Sequence, residues 1–90
     1  MIHQQVLYTG RVQGVGFRYC AKEVAKGYEV TGWVQNHADG SVELRLMGLE
    51  EEVRGFLAAV LESEVRSHIR DVREQVLPLP QAAYRDFRIL

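Results

Sequence analysis

The sequence predicts an α+β sandwich, a mainly antiparallel sheet with two helices on one face and a short C-terminal strand. Two observations carry this expectation. Apolar residues alternate at period two in some stretches and recur at three- and four-residue spacing in others. The order along the chain is strand, helix, strand, strand, helix, strand, then a short tail strand.

The first strand is expected over Gln5–Val12, with Val6, Tyr8 and Val12 on one parity and Gln5, Thr9 and Arg11 on the other. Gln13–Gly16 breaks it with two glycines. From Phe17 the period changes: Phe17, Cys20, Ala21, Val24, Ala25 and Tyr28 fall on one helical face, and Gly27 is a natural stop. Glu29–Asn36 reads as a strand with Val30, Gly32 and Val34 on one face and Trp33 on the other. His37-Ala38-Asp39-Gly40 follows as a turn, Asp-Gly being a strong hairpin signal.

Ser41–Met47 returns as a strand, with Val42, Leu44 and Leu46 facing one way and Glu43 and Arg45 the other. Glu50, Glu51 and Glu52 open a second helix, where three carboxylates suit the positive end of the helix dipole. Its apolar stripe is Val53, Phe56, Leu57, Val60 and Leu61, and Gly55 marks a close approach to the sheet. Val65–Val76 is a less regular strand interrupted by Ser67 and His68. Pro78 and Pro80 stiffen the connection that follows. Tyr84–Leu90 ends with Phe87 and Ile89 on one parity. This βαββαβ order is the split βαβ, ferredoxin-like architecture, with right-handed crossovers expected. The architecture hosts enzymes, RNA binders and metal chaperones alike, so function must come from a site.

Ninety residues set the expectation of one domain spanning 1–90. The formal charge of −1, from 11 basic and 12 acidic residues, argues against a nucleic-acid partner. Locally the balance differs, since Arg11, Arg18, Lys22 and Lys26 face only Glu23 and Glu29 in the first thirty residues. The single cysteine, Cys20, excludes an intramolecular disulfide and sits on the apolar helix face as a packed thiol. No apolar stretch is long enough to span a bilayer and Met1–Tyr8 lacks a signal pattern, so no membrane partner and a cytoplasmic location are expected. A compact domain of this size is expected to be a monomer.

The segment Gly10-Arg11-Val12-Gln13-Gly14-Val15-Gly16-Phe17-Arg18 carries the chemistry. A strand ends, a glycine-punctuated loop follows and a helix begins. Glycines let successive N–H groups curl into one concavity, and a helix N-terminus adds free donors and partial positive charge. Such a loop takes phosphate. Arg18, in the first helical turn, adds a permanently charged bidentate partner. Neither of the widespread phosphate motifs is present: the dinucleotide fingerprint requires glycine at Tyr19, and a Walker loop requires Gly-Lys-Ser/Thr.

The same residues resemble a known family. Gly10 and Val12-Gln13-Gly14-Val15-Gly16-Phe17-Arg18 are similar to the acylphosphatase loop Gly-x-Val-Gln-Gly-Val-x-Phe-Arg. Gly32-Trp33-Val34-Gln35-Asn36-His37-Ala38-Asp39-Gly40-Ser41-Val42-Glu43 matches its second signature, Gly-x-Val-x-Asn-x-x-Asp-Gly-x-Val-Glu, at every defined position. Where the family often has Gly-Pro after its second helix, this chain has Ser63-Glu64-Val65. The resemblance implies hydrolysis of small-molecule acyl phosphates to carboxylate and inorganic phosphate. It implies that the backbone of Gln13, Gly14, Val15, Gly16, Phe17 and Arg18 holds the phosphoryl oxygens with the Arg18 guanidinium, and that Asn36 holds the attacking water. Read alone, Asn36 is a turn residue beside Asp39.

No cofactor is expected. His3, His37 and His68 lack the spacing of a zinc site, so no metal is expected either. Rival readings fare less well. An RNA-recognition domain requires an aromatic, basic strand signature that Val42–Met47 lacks, and a copper chaperone requires a second cysteine. The related domains of hydrogenase-maturation carbamoyl transferases usually continue Phe-Arg-Pro-Phe, where this chain has Phe17-Arg18-Tyr19-Cys20.

Overall fold

The computed structural model describes residues 1–90. The elements are β1 (Ile2–Gly10), α1 (Phe17–Ala25), β2 (Val30–Asn36), β3 (Val42–Gly48), α2 (Glu50–Leu61), a 3-10 turn (Arg66–His68), β4 (Ile69–Leu77) and β5 (Phe87–Ile89). One sheet has the order β4-β1-β3-β2-β5. β3 lies antiparallel between β1 and β2, β4 is antiparallel to β1, and β5 is parallel to β2. This is the expected ferredoxin-like α+β arrangement.

Register explains the core. Val6 sits opposite Leu44 and Tyr8 opposite Val42, while Val34 also faces Leu44. Because strand side chains alternate faces, these residues share one side of the sheet, where they are buried together with Val53, Phe56 and Val60 of α2 and Phe17 and Ala21 of α1. Phe56 is fully buried, its ring centroid 5.7 Å from Phe87 and 6.4 Å from Tyr28. It joins α2, the tail strand and the α1–β2 connection.

Several expected boundaries move. β1 begins at Ile2 and ends at Gly10 rather than running over Gln5–Val12. Its early part is hidden from a hydropathy reading because the buried residues there are His3 and Gln4. His3 Nδ1 bonds to the Pro78 carbonyl at 2.9 Å and Nε2 to the Tyr84 hydroxyl at 2.7 Å, pinning the β4–β5 connection. Val12 is buried as expected, but from the loop beyond the strand.

β4 starts at Ile69, not Val65: the Ser67–His68 interruption is a 3-10 turn. Val65 is buried and gives the apolar signal of a strand from a helical backbone. The Ser63 hydroxyl donates to the Val60 carbonyl at 2.6 Å, and Arg66 N–H donates to Ser63 O at 3.1 Å. The segment without Gly-Pro therefore closes by hydrogen bonding.

Leu61 is 41% exposed rather than part of the buried stripe. It lies one turn beyond Leu57, at the last position of α2. Gly55 approaches Tyr28 rather than the sheet, since a Cβ there would stand 2.7 Å from Tyr28 Cε1.

Phe56→Ala removes the ring that holds three segments together. It is expected to destabilise the fold by about 3–5 kcal/mol, a large share of a small domain's total stability, read as a lower urea midpoint near 25 °C.

Candidate active site

The loop Arg11–Gly16 leaves β1 and enters α1. Gly14 and Gly16 have φ of 76° and 81°, in the left-handed region. An added Cβ at either would meet nothing within 4 Å. Glycine is therefore needed there for backbone conformation rather than for room.

Gly16 is the N-cap of α1, so no side chain caps the helix, and its first turn holds no acidic residue. From Arg11 to Tyr19 the one backbone N–H with an acceptor is that of Arg11, to His68 O at 2.9 Å; the next donor along the chain is Cys20, to Gly16 O. The N–H groups of Gln13 through Arg18 thus have no acceptor within the chain. Arg11 and Lys22 also stand outside every ion pair of the molecule. Free donors, a helix N-terminus and nearby cations together form an arrangement that can hold an anion.

Beside this loop is a cleft of about 210 Å³ lined by Gly14, Gly16, Arg18 and Asn36, with Val12, Phe17, Tyr19 and Ile89 as its apolar wall. The fold thus gathers Gly14, Gly16, Phe17, Arg18 and Asn36 of the sequence-identified residues at one place. Arg18 Nη1 donates to the Leu90 main-chain oxygen at 3.1 Å, and Leu90 N–H donates to Val34 O at 2.8 Å. The tail strand therefore orients the guanidinium. Asn36, at the end of β2, has its Oδ1 buried without a hydrogen-bond partner. The one other such atom, Gln4 Oε1, belongs to an amide whose nitrogen donates to Glu74 at 2.8 Å.

The Gln13 side chain has a role that sequence reasoning missed. Its Nε2 donates to His37 O at 2.6 Å and to Ser41 O at 3.0 Å. It ties the loop to the turn immediately after Asn36. The signal available in the sequence was only that Gln13 is the one long polar side chain between Val12 and Arg18.

That turn is itself braced. Asp39 Oδ1 accepts from Ser41 N–H at 2.9 Å and from its hydroxyl at 2.6 Å, and these bonds hold the Asp39 carboxyl below its usual range. On the sheet face away from the helices, buried Glu43 contacts His37 Nε2 at 2.6 Å and accepts from Arg45 Nε at 2.6 Å and Gln5 Nε2 at 2.8 Å. Burial pushes the Glu43 carboxyl up, but the bonds from Gln5, His37 and Arg45 outweigh it and hold it below its usual range.

Tyr8 is fully buried against Phe17, ring centroids 4.7 Å apart, and Trp33 lies under Arg45 on the outer face, so neither lines the cleft. No group of three His, Cys, Asp or Glu side chains comes together anywhere in the fold. No helix is long and apolar enough to cross a membrane.

Comparison with known proteins places these features in a family. The Acylphosphatase family model matches residues 4–89. An acylphosphatase of Bacillus pumilus is 44% identical over 89 residues, spanning 99% of this chain and 98% of its own length. The crystal structure of acylphosphatase from Bacillus subtilis superposes with a TM-score of 0.90 at 32% identity, over 100% of this chain and 99% of that one. The HypF structure from T. kodakarensis matches with a TM-score of 0.86 at 26% identity, but over only 12% of that chain.

The Glu43 network yields a pH dependence. A carboxyl held below its unfolded value contributes stability above that value and loses it as pH falls through the folded one. Glu43→Gln is therefore expected to lower stability at neutral pH by roughly 1–3 kcal/mol and to flatten the loss between about pH 5 and pH 2. Urea denaturation across that range checks both effects.

Proposed function

The chain belongs to the acylphosphatase family, and on that premise we propose how its residues hydrolyse an acyl phosphate. The phosphoryl group sits on the N–H groups of Gln13 to Arg18, with the Arg18 guanidinium on the same oxygens. The Asn36 amide holds the attacking water. The observation that carries this reading is that Asn36 lines the same cleft as Arg18 and the uncapped start of α1.

The chemistry makes modest demands. Water attacks phosphorus, the P–O bond to the acyl oxygen breaks, and the carboxylate leaves with the electron pair. Its conjugate acid has a pKa of about 4, so it departs without a general acid. The transition state is loose, and what it requires is alignment and charge stabilisation. Fixed N–H donors and one arginine supply the stabilisation. The Asn36 amide hydrogen-bonds the water and so orients its lone pair. It is not basic enough to remove the proton, which passes to a phosphoryl oxygen of the substrate or to solvent.

In this reading Gln13 positions Asn36 relative to the loop, and Phe17 and the two glycines shape the anion site without reacting. The requirement for a good leaving group restricts the enzyme to anhydrides, since alkyl phosphate monoesters need an acid or a metal that these residues do not supply.

The test is hydrolysis of benzoyl phosphate by the wild type beside Arg18→Ala and Asn36→Ala, each confirmed folded by circular dichroism. Loss of roughly a hundredfold or more in kcat is expected for each variant. Full rate in Asn36→Ala would remove its water-holding role. Wild-type rate should survive a chelator; activity abolished by the chelator and restored by magnesium or zinc would contradict the mechanism.

A further inference from the structure

The rim of the cleft has a composition that phosphate binding does not require. Of its four apolar side chains, Val12 and Phe17 are buried in the core at 1% and 2% exposure. Tyr19 and Ile89 are the other two, and they are exposed at 66% and 40%. Exposing a tyrosine ring and an isoleucine to water carries a cost in unburied apolar area. Here the two come from different elements, α1 and β5, and meet at a single polar cleft.

In-line displacement fixes the direction of the leaving group. The acyl oxygen must depart on the side of phosphorus opposite the attacking water. With the phosphoryl group against the loop and the water on Asn36, the acyl group lies on the side of phosphorus away from Asn36, outside the anion site. The apolar surface accessible at the mouth of the cleft belongs to Tyr19 and Ile89.

Resting on the acyl phosphate reading above, we propose that Tyr19 and Ile89 form an acyl-binding rim. The rim selects acyl phosphates with aromatic or extended apolar acyl groups over those with short or polar ones. Tyr19 supplies most of the contact, because its ring offers a flat apolar face and has two χ angles to fix. Neither side chain touches the reacting atoms, so the rim acts on binding, and its removal should appear in KM more than in kcat.

The experiment compares kcat/KM for benzoyl phosphate and acetyl phosphate in the wild type, Tyr19→Ala and Tyr19→Phe. Because Tyr19 is exposed, both variants should fold, and circular dichroism verifies that they do. The benzoyl-to-acetyl ratio is expected to fall roughly fivefold in Tyr19→Ala, chiefly through KM for benzoyl phosphate, and to stay at the wild-type value in Tyr19→Phe. An unchanged ratio in Tyr19→Ala overturns the rim, even if both rates fall together, because a common loss reports a disturbed Arg18 instead. A wild type that turns over neither substrate overturns the underlying acyl phosphate reading, and the rim with it.

Discussion

The run of backbone N–H groups from Gln13 to Arg18 without internal acceptors is the feature on which the rest of the structure depends. A helix always begins with orphan donors, and most helices satisfy one or more of them with a Ser, Thr, Asp or Asn cap. This chain instead places Gly16 there, in a left-handed conformation with no side chain to compete. The start of α1 is thereby left open to a ligand that brings its own acceptors. Phosphate has that character, with several acceptor oxygens and negative charge matched to the helix dipole.

An open loop of this kind has little internal structure to hold it, and the surrounding fold supplies what it lacks. Arg11 is bonded to His68 on one side. Gln13 reaches the β2–β3 turn on the other, and Phe17 anchors the helix start in the core beside Tyr8. The turn that follows Asn36 is fixed in its own right by Asp39 and Ser41 and by the buried Glu43 network. Two segments that the sequence separates by about twenty residues are thus held to one geometry through Gln13. Hydrolysis of an anhydride with a good leaving group needs that geometry and little else.

Much of this was legible in the sequence, for identifiable reasons. The two signatures span Gly10–Arg18 and Gly32–Glu43, and each encodes local backbone requirements: glycines where φ is positive, Asp-Gly where a turn closes. Local requirements can be read one residue at a time. The helices and the central strands were equally clear because their apolar periods face a single core. The errors fall where burial and backbone part company. His3 and Gln4 are polar yet buried within β1, Val65 is apolar and buried but lies outside any strand, and Leu61 continues the α2 stripe to the exposed last position of the helix. The Gln13 tether and the convergence of Tyr19 and Ile89 on one cleft come from packing between segments distant in the chain, which no periodicity records.

The central claim is that the loop N–H groups are the phosphate site. Titrating the nitrogen-15-labelled protein with inorganic phosphate, and following each backbone amide by NMR, tests it without relying on turnover. The amides of Gly14 to Arg18 are predicted to shift most and to saturate together, with the Asn36 side-chain amide following them and the response lost in Arg18→Ala. Saturable shifts centred elsewhere, such as around Lys26 and Tyr84 at the other end of the sheet, or no saturable shifts at all, would contradict it.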